Sequence, residues 1–330
     1  MPGDWDSELD STWEDEEKCA PRRKRRHVWG SPKADLCNYR RGYPDKVEPG
    51  SKEMPNLQFY QNKRPFRPGG EYIDTLLSDW TEDYVRLEEN HSYIQWLFPL
   101  REKGVNPQAV PLTLHEIKAM KADDNVRRRF CEAYRLMLGF YGIELSNEKT
   151  GEVVRTTKYW ERFNNLNRHR HNNLRITRIL KCLGELGYEH FQAPLVQFFL
   201  EETLVNEELP NVRRSALDYF MFTVKDRKKR RELVLYAWKH FPDKAGFIWG
   251  PRDILSRRAA RSSENHVSMD KVKVSNGNLG RQRAGEHGVE SEKGGERVKA
   301  HKDKKRSWRD LLCMAGEKAH SHKPKHNRNK

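Results

Sequence analysis

The sequence predicts an all-α protein: a compact multi-helix domain of short amphipathic helices, with an irregular N-terminal arm and disordered tails. Three observations carry this. Apolar residues recur at three- and four-residue spacings between about residues 71 and 241, cut by Gly and Pro. No alternating apolar/polar strand pattern exceeds four or five residues, which leaves room only for short β pieces, in the 35–70 arm. Finally, 35% hydrophobic and 34% charged residues describe a normal core diluted by polar tails. The expected organisation is an acidic-then-basic N-terminus over 1–34, a helical domain over 35–256 and a basic tail over 257–330.

The arm at 35–70 carries Pro44, Pro49, Pro55, Pro65 and Pro68, which forbid a long helix. It is expected to lay Tyr39, Tyr43, Phe59, Tyr60 and Phe66 onto the core. From Glu71, the stripe Tyr72, Ile73, Leu76, Leu77, Trp80, Tyr84 and Leu87 predicts one helix. A second covers about 91–98 and stops at Pro99. Thr113-Leu114-His115-Glu116 matches a capping box, and Val126 to Tyr141 forms a stripe that Gly142 ends. A turn-rich link at 146–151 leads to a helix at 157–166. A stripe from Leu174 to Leu186 stops at Gly187. Pro194 is placed in the first turn of a helix over 193–205, and Pro210 opens a helix holding Val212, Ala216, Leu217, Phe220 and Val224. The last helix covers 229–241. Helices of this length, broken by Gly and Pro, also fit stacked HEAT-like pairs, but no sequence repeat is visible and a compact domain is the default.

Charge is distributed unevenly. Residues 1–17 hold eight Asp/Glu and no Lys or Arg, whereas residues 257–330 hold 20 Lys/Arg against 9 Asp/Glu, or +11 of the net +15. A basic tail points to acidic partners or to a simply solvated tail. Arg22, Arg23, Lys24, Arg25 and Arg26, and likewise Lys302, Lys304, Lys305 and Arg306, have the density of nuclear-import signals. The run Lys225–Arg231 is denser still and reads equally as a solvated turn between helices. Five scattered cysteines with no CxxC fit free thiols in a reducing compartment. The N-terminus shows no apolar h-region and no stretch approaches a membrane span, so neither a secretory signal nor a transmembrane segment is expected.

Several stretches resemble the conserved region of the opioid growth factor receptor family. They are Asn90–Glu102, Leu136–Ile143, His171–Leu204, Ser215–Phe222 and Trp249-Gly250-Pro251, with Asp10–Glu14 and Tyr43-Pro44-Asp45 in addition. The match runs in one order across about 35–256. The resemblance implies binding of an enkephalin-type opioid peptide, restraint of cell growth, and a nuclear or perinuclear location with peripheral association at the nuclear envelope. It implies no catalytic residues and does not separate the receptor from its receptor-like relative.

Tests for chemistry agree with a non-enzyme. No phosphate-loop glycine pattern opens a helix, and no cofactor is expected. Arg168 and Arg170 beside His169 and His171 disfavour a metal, and His320, His322 and His326 lack the Cys or carboxylate that would complete a zinc site. Trp80, Tyr84, Trp96, Trp160, Tyr219 and Trp238 read first as core. A pocket for an enkephalin-like peptide needs apolar walls and a carboxylate for the terminal ammonium. Trp96, Glu201 and Asp218 are the candidates, with Glu202 and Glu185 as further acids. Three readings compete: a peptide-binding growth regulator, a helical interaction scaffold that uses the Trp308–Met314 island, and non-specific nucleic-acid association through the tail.

Overall fold

Residues 12–13, 32–48 and 53–260 are described by the structure, a computed structural model. The chain divides into two units, Met1–Lys273 and Val274–Lys330, and the described residues belong to the first. The basic clusters at 22–26 and 302–306 and the Trp308–Met314 island lie outside them.

The arm folds into two short helices, α1 (Pro32–Arg40) and α2 (Pro55–Tyr60). As expected, Tyr39, Tyr43, Phe59, Tyr60 and Phe66 are all buried. The predicted helix from Tyr72 to Leu87 is two helices, α3 (Ile73–Asp79) and α4 (Tyr84–Glu89). Asp83 accepts a hydrogen bond from the Arg86 amide and so starts a new helix, while Glu82 takes a positive φ. The 91–98 helix contracts to the single turn α5 (Ile94–Leu97).

The capping box forms as predicted at α6 (Leu114–Ala122). The Glu116 carboxylate also accepts the Asn56 amide at 2.8 Å, so one buried side chain caps two helices. Next, α7 (Asp124–Phe140) presents Val126, Phe130, Ala133, Tyr134 and Met137 to the core. Gly142, at φ +77°, ends it. A Cβ there would lie 2.9 Å from Arg162 Cβ and 3.0 Å from the Tyr159 carbonyl. Gly142→Ala is therefore expected to cost about 2 kcal/mol, read in a thermal or urea melt.

The turn at 146–151 joins two strands, β1 (Ile143–Asn147) and β2 (Glu152–Arg155), paired antiparallel with Ile143 opposite Arg155 and Leu145 opposite Val153. Among the described residues, the short β pieces thus fall after α7 and not in the arm. Three longer helices follow the hairpin: α8 (Tyr159–Arg168), α9 (His171–Glu185) and α10 (Glu189–Leu204). Because α10 starts four residues before the predicted 193, Pro194 lies in its second turn, where it cannot donate to the His190 carbonyl. The early start is held by Gln192, fully buried, whose amide donates to the carbonyls of Leu180 (2.8 Å) and Thr223 (3.0 Å).

The segment predicted from Pro210 is α11 (Arg213–Ser215), a π-helical turn over Ala216–Phe220, and α12 (Met221–Thr223). Then come α13 (Arg227–His240) and a helical stretch over 252–260. Helix α10 packs against α9, α13, β2 and the π turn, while α1 packs against α12 and α3 against α7. In a solenoid each repeat touches only its neighbours. These contacts join α1, at residues 32–40, to α12, at 221–223, so among the described residues the compact alternative is the one observed.

Candidate functional site

A groove of about 850 Å³ runs along α9. One stripe of α9 forms its wall: His171, Leu174, Arg175, Thr177, Arg178 and Lys181. The ten steps from His171 to Lys181, at about 1.5 Å each, make this wall about 15 Å long. The opposite wall is the 91–107 segment, with His91, Gln95 and Glu102, and α1 closes one end through Asp35 and Leu36. Leu36, Ile94 and Leu100 are buried lining residues, whereas Leu174 and Val105 are exposed. Tyr219 joins the wall from the π-helical turn, a local widening that is frequent at functional sites.

Two charged clusters occupy the ends. At one, Lys181 is almost fully buried, 3.0 Å from Asp35 Oδ2 and also bonded to Glu102. Burial pushes the Glu102 carboxyl above its ordinary value, and the Lys181 charge pulls back against it. Beside it, Arg178 donates to the Phe98 carbonyl at 3.0 Å, and burial lowers its pKa. A guanidinium has five donors, so one carbonyl does not exhaust it.

At the other end, Arg175 ties the groove floor together. It donates to the carbonyls of Leu87 (2.8 Å), Glu88 (3.2 Å) and Asn90 (3.0 Å), and to His91 Nδ1 (3.0 Å). Arginine only donates, so His91 Nδ1 is the acceptor. Glu88 lies 2.5 Å from His171 Nε2. Burial opposes the Glu88 charge, but hydrogen bonds from Asn165 and Asn172 and the nearby histidines hold its carboxyl below the ordinary value. Burial lowers the His171 imidazole in turn, with Glu88 pulling it up. Among the described residues, no group of His, Cys, Asp and Glu is arranged to hold a metal ion.

The sequence candidates fall elsewhere. Trp96 is fully buried; its indole N–H donates to the Arg67 carbonyl at 2.9 Å and its ring packs on Phe59. Its neighbour Gln95 lines the groove instead. Asp218 accepts the Trp249 indole N–H at 2.7 Å and pairs with Arg214. Glu201 is exposed on α10 and acts electrostatically on Tyr236. Of the further acids, Glu202 is bound by Arg155 and Glu185 lies 3.3 Å from Lys225. None of Trp96, Glu201 and Asp218 thus lines the α9 groove. Of the other aromatics, Trp80 and Trp238 are core, while Trp160 is exposed. The groove residues Asp35, Glu102 and Lys181 come from three distant segments, and the apolar stripe that the sequence shows on α9 shares only Leu174 with the groove wall.

A family model described as the opioid growth factor receptor conserved region matches residues 49–256, the part of the chain that builds most of this groove. The chain belongs to that family. The human opioid growth factor receptor is 57% identical over 241 residues, covering 73% of this chain and 36% of the relative. The mouse receptor is 51% identical over 283 residues, covering 76% and 44%. Opioid growth factor receptor-like protein 1 of rat is 52% identical over 218 residues, covering 66% and 47%. The chain thus spans less than half the length of these family members. No solved structure matches it. No helix of the described residues is long and apolar enough to cross a membrane.

Proposed function

We propose that this chain is a peptide-binding member of the opioid growth factor receptor family, that it takes an enkephalin-type peptide in the α9 groove, and that it acts by binding and not by catalysis. The observation that carries this reading is the groove itself. Its volume lies in the usual range for ligand sites. Its 15 Å wall fits an extended five-residue peptide of about 17 Å. Aromatic side chains rest on Leu36, Ile94 and Leu100, and the terminal ammonium rests against Asp35 and Glu102. The names of the relatives support the ligand class. The receptor-type reading carries with it restraint of cell growth, and a nuclear and perinuclear location reached through the clusters at 22–26 and 302–306; a fluorescent fusion lacking both clusters is expected to lose nuclear accumulation.

The test is calorimetric titration of the full chain with an enkephalin pentapeptide at two salt concentrations. Saturable, nearly salt-independent binding is expected, and Glu102→Gln should weaken it about tenfold, or ~1.4 kcal/mol. Affinity should fall as pH drops from neutral toward 4.5, because the raised Glu102 carboxyl takes up its proton there and the ammonium loses its counter-ion. No saturable binding by the folded chain would sink the peptide reading in favour of a scaffold. Binding lost steeply with salt would assign it to the tail.

A further inference from the structure

The dense basic run Lys225–Arg231 is not a solvated turn. Asp226 accepts the Lys229 amide at 2.9 Å and starts α13, and the arginines of its first turns converge on two residues far back in the chain, Thr12 and Trp13. Arg230 Nε donates to the Thr12 hydroxyl at 2.7 Å. Arg231 Nε and Arg227 Nε donate to the Thr12 carbonyl at 2.7 and 3.3 Å. Thr12 is fully buried as a result. The Trp13 ring lies within cation–π range of Arg231 (5.6 Å) and of Arg258 (5.3 Å) in the last helical stretch. Arg230 also donates to the Val224 and Lys225 carbonyls, at 2.6 and 3.2 Å, which fixes the seat to the turn before α13.

The charge pattern of the sequence favours the same pairing. Thr12 and Trp13 lie inside a stretch of 17 residues with eight carboxylates and no Lys or Arg, and the seat opens with Arg227-Lys228-Lys229-Arg230-Arg231. The indole N–H of Trp13 has no acceptor among the described residues, so the seat holds the ring by its face and by packing. Residues 14–31 separate Trp13 from α1, a length of chain that spans at most about 60 Å, so the pair stays covalently close to the seat.

We propose that this arginine-lined seat on α13 is a recognition site for acidic segments built around a Thr-Trp pair, and that the chain's own Thr12 and Trp13 fill it in cis as an exchangeable clasp. Guanidinium groups read the backbone carbonyl, the hydroxyl and the ring of the pair, and the flanking carboxylates steer it onto the basic helix. The site is separate from the α9 groove and does not depend on its ligand.

The experiment uses full-length chains and a fluorescein-labelled synthetic peptide of residues 8–17, followed by anisotropy. The peptide is expected to bind the Trp13→Ala chain at least tenfold more tightly than the wild-type chain, where the clasp competes. Glu14→Lys, Asp15→Lys, Glu16→Lys and Glu17→Lys together leave every core residue in place, and this second variant should unmask the seat in the same direction. A peptide with Trp13→Ala should bind at least tenfold more weakly, whereas Trp13→Phe should retain most binding, since no indole hydrogen bond is lost. Adding Arg231→Glu and Arg258→Glu to the Trp13→Ala chain should abolish binding. Equal affinity of the peptide for wild-type and both unmasked chains, or no binding to any of them, would overturn the proposal. So would binding that survives the two arginine reversals.

Discussion

Arg175→Met is expected to lower the unfolding free energy by about 3–4 kcal/mol. Methionine fills nearly the same volume, so packing is kept and only the donors are removed. The loss is large because Arg175 is buried and its guanidinium serves the carbonyls of Leu87, Glu88 and Asn90, at the end of α4. The Leu87 carbonyl keeps the Tyr93 hydroxyl as a donor at 2.9 Å, whereas those of Glu88 and Asn90 lose theirs, at about 1–3 kcal/mol each when water cannot reach them, and partial relaxation brings the sum down. Urea denaturation of the two full-length chains measures it. The same substitution should weaken peptide binding, since His91 loses the group that orients it. A change below about 1 kcal/mol would mean that water reaches these carbonyls and that the end of α4 is not sealed by α9.

Much of the fold was legible because its signals are local. The Thr113–Glu116 box, the α7 stripe and the stop at Gly142 each depend on residues within two or three turns, and the structure has all three. What escaped was decided by contacts across the chain or by very short patterns. The strands around the turn at 146–151 have four and five residues, too few for alternation to register. The break after Trp80 depends on Asp83 capping a new helix within an unbroken apolar stripe. The early start of α10 depends on Gln192 finding partners on α9 and α12, and no sequence window contains those partners.

The candidate site was less legible for the same reason. Within 90–102 only the single turn α5 is helical, too short for a periodic stripe to register, and its adjacent residues diverge: Gln95 lines the groove and Trp96 enters the core. The carboxylates of the groove, Asp35 and Glu102, are identifiable only once Lys181 is known to lie between them. The basic run at 225–231 shows the converse. Its density was plain, but its purpose required Thr12 and Trp13, more than 200 residues away, to be brought against it.

Gly184→Ala tests how the groove is closed. Gly184 lies on α9 where α1 crosses it, and a Cβ there would fall 2.1 Å from the Tyr39 hydroxyl and 2.7 Å from Gln192 Nε2. Neither atom has an easy retreat, since Tyr39 is fully buried and Gln192 is bonded to Leu180 and Thr223. One methyl group therefore has to move α1 or break the Gln192 network, at an expected cost of about 2–3 kcal/mol. Moving α1 draws Asp35 away from Lys181 and Leu36 away from the groove floor. Peptide affinity should then fall several-fold more than in Gly142→Ala, which carries a similar loss of stability at a residue that does not line the groove. If Gly184→Ala melts like the wild-type chain, α1 does not pack on α9 at this point, and Asp35 ceases to be a candidate for the peptide ammonium. If it destabilises but leaves affinity unchanged, α1 is structural and the groove is closed by the 91–107 segment alone.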